Sequence, residues 1–163
     1  MNKRNIFEFT LIFKSVERNS FDHTQQLEYK EQSLQDASIL VAEDNLVNQI
    51  LIKKFLRKWQ VGKLVIASDG QEALDEFDRG EFDIILLDIQ MPVLDGFSVA
   101  KVIRANKDSN KSQIPILVLS ATSYQEIKEE MEKFEIDDFI EKPFTPDGLY
   151  EKLTQYLKSK DLR

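Results

Sequence analysis

Cysteine is absent from the chain, so neither a disulfide framework nor thiolate chemistry is available to it. This absence fits a reducing compartment such as the cytoplasm. Long apolar runs are also absent, and none approaches the roughly 20 residues that a membrane-spanning helix needs. The basic start of the chain does not predict a signal peptide, because Glu8 and Thr10 interrupt the apolar stretch that follows it. We therefore expect a cytoplasmic location and no membrane segment.

Positive charge is scarce: 22 basic residues stand against 29 acidic ones, which leaves a net charge of −7. No basic helix with interleaved aromatic side chains occurs in the sequence. We therefore do not expect a nucleic-acid partner. Internal repeats are absent too, and 163 residues suffice for one domain with some excess.

The N-terminal part of the chain differs from the rest. Residues 6–13, IFEFTLIF, alternate in part between apolar and polar side chains, which predicts a short strand. Residues 15–36 are polar and contain few large aliphatic side chains, which indicates a linker. From residue 37 onward, short apolar runs alternate with amphipathic segments.

The region from residue 37 predicts five strands that alternate with five helices. Short, mainly apolar runs are typical of strands that are buried on both faces. They occur at 38–42, 63–67, 84–88, 114–119 and 138–140. This alternation predicts an α/β domain, in which a parallel sheet has helices on both faces.

Helix boundaries and inward faces follow from local signals. Asp69 with Glu72 and Ser123 with Glu126 are predicted capping boxes, and Thr145 is a predicted N-cap of the last helix. The inward face of the first helix is predicted from apolar residues at helical spacing. They are Val47, Ile50, Leu51, Phe55 and Leu56.

Polar side chains stand at the ends of four of these strands. Because the carboxyl ends of parallel strands meet at one edge of the sheet, we expect these side chains to lie close together. They are Glu43 and Asp44 after strand one, Asp88 at the end of strand three, Ser120 after strand four, where Ala121 follows it, and Lys142 after strand five. Each residue alone has an ordinary explanation as a cap, a turn, a loop or a surface lysine, but their joint occurrence favours a site.

Three neighbouring carboxylates raise one another's pKa unless a cation neutralises them. Oxygen ligands of this kind suit Mg²⁺, which often also binds a phosphoryl group. An ammonium and a hydroxyl complete the set of groups that phosphoryl transfer needs, and a carboxylate is a known acceptor.

Four segments with these residues resemble the receiver domain of two-component response regulators. They read LVAEDN, LLDIQMPVLDG, VLSA and FIEKPF, and the similarity spans residues 37–160. The segments DIQMPVLDG and EDNLVNQ resemble most the receivers of hybrid sensor histidine kinases. The resemblance implies the flavodoxin-like doubly wound fold, a five-stranded parallel sheet of order 2-1-3-4-5.

The resemblance also implies a role for each matching residue. Asp88 would be the phosphoacceptor, and Mg²⁺ (or Mn²⁺) would be held by Asp44, Asp88, the backbone carbonyl of Gln90 and, through water, Glu43. Lys142, Ser120 and the backbone of Ala121 would contact the phosphoryl group. Ser120 and Phe139 would form the switch pair, and the Lys142–Pro143 peptide bond would be cis.

The implied partner is a histidine kinase or a histidine phosphotransfer domain, which donates the phosphoryl group. The receiver itself would catalyse only its own phosphorylation and dephosphorylation, while a full-length parent could be a histidine kinase. Phosphorylation would repack the face formed by helix four, strand five and helix five, through which the domain could dimerise.

The chain departs from the family pattern in its turns. The segment Phe134–Ile136 before strand five lacks the usual Gly, so we expect a remodelled end of helix four. Trp59 and Gln60 replace the small residue that usually follows helix one. Neither change removes a chemical group from the site.

Residues 6–13 resemble the last strand of a histidine-kinase ATP-binding domain. This predicts a remnant of that domain at 1–14, a linker at 15–36, and an origin in a hybrid kinase whose other parts could be membrane-bound. The single histidine, His23, lies in FDHTQQ, which does not resemble the phosphorylated motif of kinases.

Four alternatives stay open at this point. The chain could be a stand-alone receiver, or an interaction module that uses the fold without phosphorylation. A haloacid-dehalogenase-type phosphatase is disfavoured, because it needs a second aspartate where Gln90 stands. A flavodoxin is disfavoured, because Glu43 and Asp44 would repel a phosphate.

Overall fold

The structure is a computed structural model, and it describes residues 34–158. The predicted strand at 6–13, the predicted domain remnant at 1–14 and the linker up to residue 33 lie outside the described residues. Within the described part of the chain, no helix is long and apolar enough to cross a membrane.

Five parallel strands form one sheet of order β2-β1-β3-β4-β5, as predicted. The strands are β1 (Ser38–Ala42), β2 (Lys63–Ala67), β3 (Ile84–Asp88), β4 (Ile116–Ser120) and β5 (Asp138–Glu141). The helices are α1 (Leu46–Lys58), α2 (Gly70–Arg79), α3 (Gly96–Arg104), α4 (Ser109–Ser112), α5 (Tyr124–Lys133) and α6 (Pro146–Lys158).

Alternate residues of the central strands enter two separate hydrophobic cores. Ile85 and Leu87 of β3 pack on the side of α2, α3 and α5, whereas Ile84 and Leu86 pack on the side of α1 and α6. Every residue of β3 and β4 is buried. The helices therefore cover both faces of the sheet, which explains the continuous apolar runs in these strands.

One short helix was not predicted. The helix α4 consists of Ser109–Ser112, and the Asp108 side chain caps it by accepting a hydrogen bond from the backbone N–H of Asn110. The fourth and fifth predicted helices are therefore α5 and α6. The predicted switch face corresponds to α5, β5 and α6.

The predicted inward face of α1 is confirmed at Leu56 and at Phe55, which packs against the same core, but is wrong at Val47, Ile50 and Leu51, which are exposed. Ile52 and Leu56 are fully buried against the sheet, whereas Val47 and Ile50 are 72% and 67% exposed. Both stripes have helical spacing, because α1 is apolar on two sides. Periodicity alone therefore cannot tell which stripe faces the sheet.

The ends of α1 and α5 retain the geometry that glycine usually provides. Gln60 has φ 57° and Glu135 has φ 53°, so both adopt the left-handed conformation after their helix. After α5, the backbone N–H of Ile136 donates to the Met131 carbonyl at 2.9 Å, which is the outer bond of a Schellman turn. The expected remodelling of this helix end is therefore wrong. The Arg104 side chain donates to the Glu135 carbonyl at 2.8 Å and so supports this conformation.

Two of the three predicted helix caps form. Asp69 accepts a hydrogen bond from the backbone N–H of Glu72 at 2.8 Å, and Thr145 accepts one from that of Gly148 at 3.1 Å. The capping box of Ser123 does not form, because its hydroxyl donates instead to the side chain of Glu126.

Packing of the domain extends three residues into the predicted linker. Leu34 is buried beside Trp59, and its backbone N–H donates to the Trp59 carbonyl at 3.0 Å. The Leu34 carbonyl accepts a hydrogen bond from Gly62 at 3.1 Å. A side chain at Gly62 would collide with the backbone of Gln35, so this contact requires glycine.

The orientation of α1 can be tested with two isoleucines on the same helix. We expect Ile52→Ala to lower the free energy of unfolding by about 3 kcal/mol, because it opens a cavity in a fully packed core. The matched change Ile50→Ala should cost less than about 0.5 kcal/mol, because Ile50 is exposed. Urea unfolding measures both, and equal losses would contradict the orientation.

Candidate functional site

Buried polar side chains concentrate at the carboxyl edge of the sheet. Within the described part of the chain, the buried polar or charged residues are Glu43, Asp88 and Ser120. Glu43 directly follows β1, while Asp88 and Ser120 end β3 and β4. The sheet thus brings together the side chains that the sequence placed at its strand ends.

Three carboxylates form a compact acidic cluster. One oxygen from each of Glu43, Asp44 and Asp88 lies within 4.8 Å of the others. Glu43 and Asp88 are buried, whereas Asp44 is exposed and lies on the solvent side. Asp44 therefore gives the cluster its most exposed side.

Lys142 joins the two buried carboxylates. Its Nζ donates to Oε2 of Glu43 and to Oδ2 of Asp88, each at 2.7 Å. The lysine follows β5, and its backbone N–H donates to the Ser120 carbonyl at 2.7 Å. One ammonium therefore offsets two negative charges through short, charge-assisted hydrogen bonds.

Burial raises the pKa of Asp88 above its ordinary value, and the negative charge of Glu43 raises it further. Hydrogen bonds from Lys142 and from the backbone of Gln90 act in the opposite direction without cancelling the rise. The pKa of Lys142 is also raised, although burial disfavours its charge. Hydrogen bonds and attraction from Asp88 and Glu43 outweigh that burial. The lysine therefore stays charged throughout the neutral range.

The loop after β3 approaches Asp88 closely. The backbone N–H of Gln90 donates to Oδ1 of Asp88 at 3.1 Å. A Cβ at Gly96 would lie 2.4 Å from the Asp88 carbonyl oxygen, so only glycine permits this path. The neighbouring Asp95 caps α3 by accepting a hydrogen bond from Ser98.

The predicted switch residues lie on neighbouring strands but do not contact Asp88 directly. The Ser120 hydroxyl donates to the Thr122 carbonyl at 3.1 Å and accepts from the Thr122 N–H at 2.9 Å. Phe139 is half-buried, and its ring centroid lies 5.6 Å from that of Tyr124 on α5. Tyr124 was not among the predicted site residues.

The remaining predicted positions lie at the same edge of the sheet. Ala121 directly follows β4 and is exposed. The Lys142–Pro143 peptide bond is cis.

Sequence reasoning also missed two amide side chains on α1. Asn48 donates from Nδ2 to Oε1 of Glu43 at 2.9 Å, and Gln49 donates from Nε2 to the Glu43 carbonyl at 2.6 Å. Both belong to the segment EDNLVNQ, which we used only as a sign of resemblance. They stand five and six residues after Glu43, in the first turn of α1, and this short separation in the chain was the signal that could have revealed them.

The acidic cluster fits a magnesium ion. Its donors are carboxylate oxygens, which are the ligands that Mg²⁺ prefers. The exposed Asp44 leaves room for the waters that Mg²⁺ usually retains. Lys142 offsets only part of the negative charge of the three carboxylates.

Comparison with known proteins identifies the domain. The family model of the response regulator receiver domain matches residues 39–154. The chain belongs to this family. The receiver is 39% identical over 126 residues to hybrid signal transduction histidine kinase I of Dictyostelium discoideum. That match covers 74% of this chain but only 7% of the Dictyostelium protein.

Two solved receiver structures share the fold. The receiver domain of sensor histidine kinase PA1611 from Pseudomonas aeruginosa is 34% identical, with a TM-score of 0.67, and covers 75% of this chain and 98% of its own. That structure holds a magnesium ion in its active-site cleft. The receiver domain of Ssk1 from Saccharomyces cerevisiae, solved with the histidine phosphotransfer protein Ypd1, is 30% identical, with a TM-score of 0.69. It covers 76% of this chain and 90% of its own.

Replacing Lys142 tests its role in balancing the two carboxylates. We expect Lys142→Met to lower the free energy of unfolding by about 3 kcal/mol at pH 7, because Glu43 and Asp88 stay buried without their cation. Lys128→Met is the matched control. Lys128 is half-exposed and forms a surface pair with Glu132, so its loss should cost less than about 0.5 kcal/mol.

The loss caused by Lys142→Met should also depend on pH. A carboxyl whose folded pKa is raised favours the fold below its unfolded pKa of about 4, and this contribution is lost as pH rises through the folded pKa. Removing Lys142 removes a hydrogen bond that lowers the Asp88 pKa, so the folded pKa rises further. The difference from wild type should therefore be smaller at pH 4 than at pH 7. A constant difference across this range would contradict the assignment.

Proposed function

We propose that this receiver accepts a phosphoryl group on Asp88 from the phosphohistidine of a histidine kinase or a histidine phosphotransfer domain. A carboxylate oxygen of Asp88 attacks the phosphorus, a P–O bond forms, and the P–N bond to the histidine breaks. The electron pair of the P–N bond stays on the histidine nitrogen, which takes up a proton from solvent, so the products are an aspartyl phosphate and a free imidazole. The observation that carries this proposal is the pair of 2.7 Å hydrogen bonds from Lys142 to Asp88 and Glu43 inside the acidic cluster.

Lys142 has the position and charge for this reaction. Its ammonium already contacts an oxygen of Asp88, so it lies where an incoming phosphoryl group would carry negative charge. The backbone N–H of Gln90 holds the other Asp88 oxygen at 3.1 Å. The carboxylate is thus held in a defined orientation before a donor arrives. We propose that Ser120 and the backbone of Ala121 also contact the phosphoryl group, since both stand at the end of β4 beside Asp88.

We propose that Mg²⁺, or Mn²⁺ in its place, is held by Asp44, Asp88 and the backbone carbonyl of Gln90, with Glu43 acting through water. The oxygen-only donor set and the magnesium ion in the PA1611 receiver support this assignment. When bound, the ion would offset negative charge on the phosphoryl oxygens.

An exposed apolar face of α1 supports a protein as the phosphoryl donor. It consists of Leu46, Val47, Ile50 and Leu51, which are between 38% and 72% exposed. We call this surface the α1 apolar face. It starts two residues after Asp44, and Val93 in the loop after β3 is 79% exposed as well. Exposed apolar surface of this kind marks an interaction site.

We propose that a histidine phosphotransfer domain docks on the α1 apolar face. A donor seated there would place its phosphohistidine beside the open side of the acidic cluster, because α1 begins at that edge of the sheet. The similarity to the Ssk1 receiver, which forms a complex with Ypd1, supports this class of partner.

The output of the receiver would be a change in the face formed by α5, β5 and α6. The phosphoryl group adds acceptor oxygens that compete with Thr122 for the Ser120 hydroxyl. Movement of Ser120 would then change the space available to Phe139 on the adjacent strand. Couplings of this kind are typically about 1–3 kcal/mol. Dimerisation through this face remains a prediction.

We further propose that the receiver domain, at 37–160, belongs to a hybrid sensor histidine kinase. The similarity to the Dictyostelium hybrid kinase and the segment EDNLVNQ support this origin. In that case residues 1–14 are the end of an ATP-binding domain and 15–36 are the linker, in the cytoplasmic part of the parent. A stand-alone receiver is the alternative.

Phosphorylation of Asp88 can be tested with a small-molecule phosphodonor and Mg²⁺. We expect the wild-type chain to gain one acid-stable, hydroxylamine-labile phosphoryl group, and Asp88→Asn to gain none, because an amide oxygen is a poor nucleophile. Asp75→Asn on the exposed surface of α2 is the matched control and should react like wild type. Intact-mass measurement decides the outcome, and equal labelling of Asp88→Asn would refute the assignment.

The docking surface can be tested separately from the chemistry. We expect Ile50→Glu to slow transfer from a phosphorylated histidine phosphotransfer protein by about tenfold or more, because it places a charge in an apolar interface. Labelling by the small-molecule donor should not change. Val102→Glu is the control, because it also places a glutamate at an exposed apolar position, on α3, where the residue is 51% exposed. It should leave both the transfer from the protein donor and the labelling by the small-molecule donor unchanged. A normal transfer rate for Ile50→Glu would exclude the α1 apolar face.

A further inference from the structure

Protein donors hold both oxygens of the Glu43 carboxylate. Oε1 accepts from Nδ2 of Asn48 at 2.9 Å and from the backbone N–H of Asn45 at 3.3 Å. Oε2 accepts from Nζ of Lys142 at 2.7 Å. The residue is fully buried, so bulk solvent does not set its orientation. The direction in which Glu43 presents each oxygen therefore depends on these three groups.

Asn48 reaches Glu43 because of the way α1 begins. The Asn45 side chain accepts hydrogen bonds from the backbone N–H groups of Val47 and Asn48, which sets the first turn of the helix. The Asn48 amide then points back to the end of β1. Gln49 adds a 2.6 Å hydrogen bond to the Glu43 carbonyl, which ties the same turn to the same strand end.

The chemical type of residue 48 matters as much as its position. An amide donates a hydrogen bond without adding charge, so it does not replace Lys142 as the cation beside Glu43. A lysine or arginine at this position would compete with Lys142 for Glu43. Without a donor at residue 48, Oε1 would keep only the longer 3.3 Å hydrogen bond from the backbone N–H of Asn45, and the carboxylate would turn toward another partner. Its nearest cation is Lys142, which Asp88 also needs.

We propose that Asn48 is a positioning residue for the phosphoryl-transfer site. It holds Oε1 of Glu43 on the side of α1, so that Oε2 faces Lys142 and the metal-binding carboxylates. Asn48 touches neither Asp88 nor the phosphoryl group and acts only through Glu43. This inference rests on the proposed function, since it assigns a role toward the same Mg²⁺ site.

Two variants remove the donor with little change in size. Asn48→Leu lacks hydrogen-bonding groups, and Asn48→Asp places a carboxylate oxygen against Oε1 of Glu43. We expect each to weaken Mg²⁺ binding by about tenfold or more, which is the usual effect of removing a group that orients a metal ligand. Isothermal titration of the unphosphorylated protein with Mg²⁺ alone measures this. Asn110→Leu and Asn110→Asp on exposed α4 are the matched controls and should bind like wild type.

A purely structural role gives a different result. Thermal unfolding without Mg²⁺ reports the stability of each variant, and a residue that only supports the fold would lower the unfolding temperature but leave the Mg²⁺ dissociation constant unchanged. That pattern would overturn the proposal. Asn48→Asp is the second variant should Asn48→Leu not fold.

A double-mutant cycle tests whether Asn48 acts through Glu43. In a Glu43→Gln background, Asn48→Leu should change Mg²⁺ affinity by less than about twofold, because the carboxylate that it orients is gone. Multiplied losses would mean that the two residues act independently and would reject the proposal. The two proposals fail on different results. Absence of phosphoryl labelling in the wild-type chain would refute the phosphoacceptor function. Wild-type Mg²⁺ affinity in both Asn48 variants would refute only the positioning role of Asn48.

Discussion

The ammonium group of Lys142, between the carboxylates of Glu43 and Asp88, is the interaction on which the site depends. Two buried carboxylates at adjacent strand ends repel each other, and burying either one without a partner is costly. The lysine arrives from β5, while the carboxylates belong to β1 and β3, with β4 in between. The strand order of this sheet brings the three groups within hydrogen-bonding distance. The charge balance of the site therefore depends on the order of the strands.

The positive charge of Lys142 does not fully offset the negative charge of the carboxylates, and this excess suits the binding of a cation. One ammonium faces two buried carboxylates, and the exposed Asp44 adds a third negative charge. A divalent cation would offset the remainder. The raised pKa of Asp88 has the same origin, because burial and the charge of Glu43 outweigh the hydrogen bonds that favour its ionised form.

Three sides of the helix α1 have different roles. Ile52 and Leu56 pack against the sheet, Asn48 reaches back to Glu43, and the α1 apolar face remains at the surface. A helix with one apolar stripe could pack on the sheet but would offer a partner no apolar surface. The α1 apolar face is the second stripe, and its presence makes the inward face hard to predict. It is also the feature that supports a protein donor.

The proposed switch residues have other partners in this structure. Ser120 ends β4, but its hydroxyl bonds to Thr122, and the ring of Phe139 packs beside that of Tyr124. In the proposed function, phosphorylation would act on the α5, β5 and α6 face by drawing Ser120 away from its hydrogen bonds to Thr122. This gives the equilibrium two defined arrangements, as a population shift requires.

The strands and the residues at their ends were predictable from local patterns. A strand buried on both faces needs a continuous apolar run, so Ile84–Leu87 indicates β3, and Asp88 must then stand at its carboxyl end. The orientation of α1, the contact of Asn48 with Glu43, the bonds of Ser120 and the left-handed Glu135 were not predictable in this way. Each is a choice among conformations that the local sequence permits almost equally. Contacts between residues far apart in the chain make that choice for α1, which packs on the sheet, and for Glu135, whose carbonyl accepts a hydrogen bond from Arg104, 31 positions away.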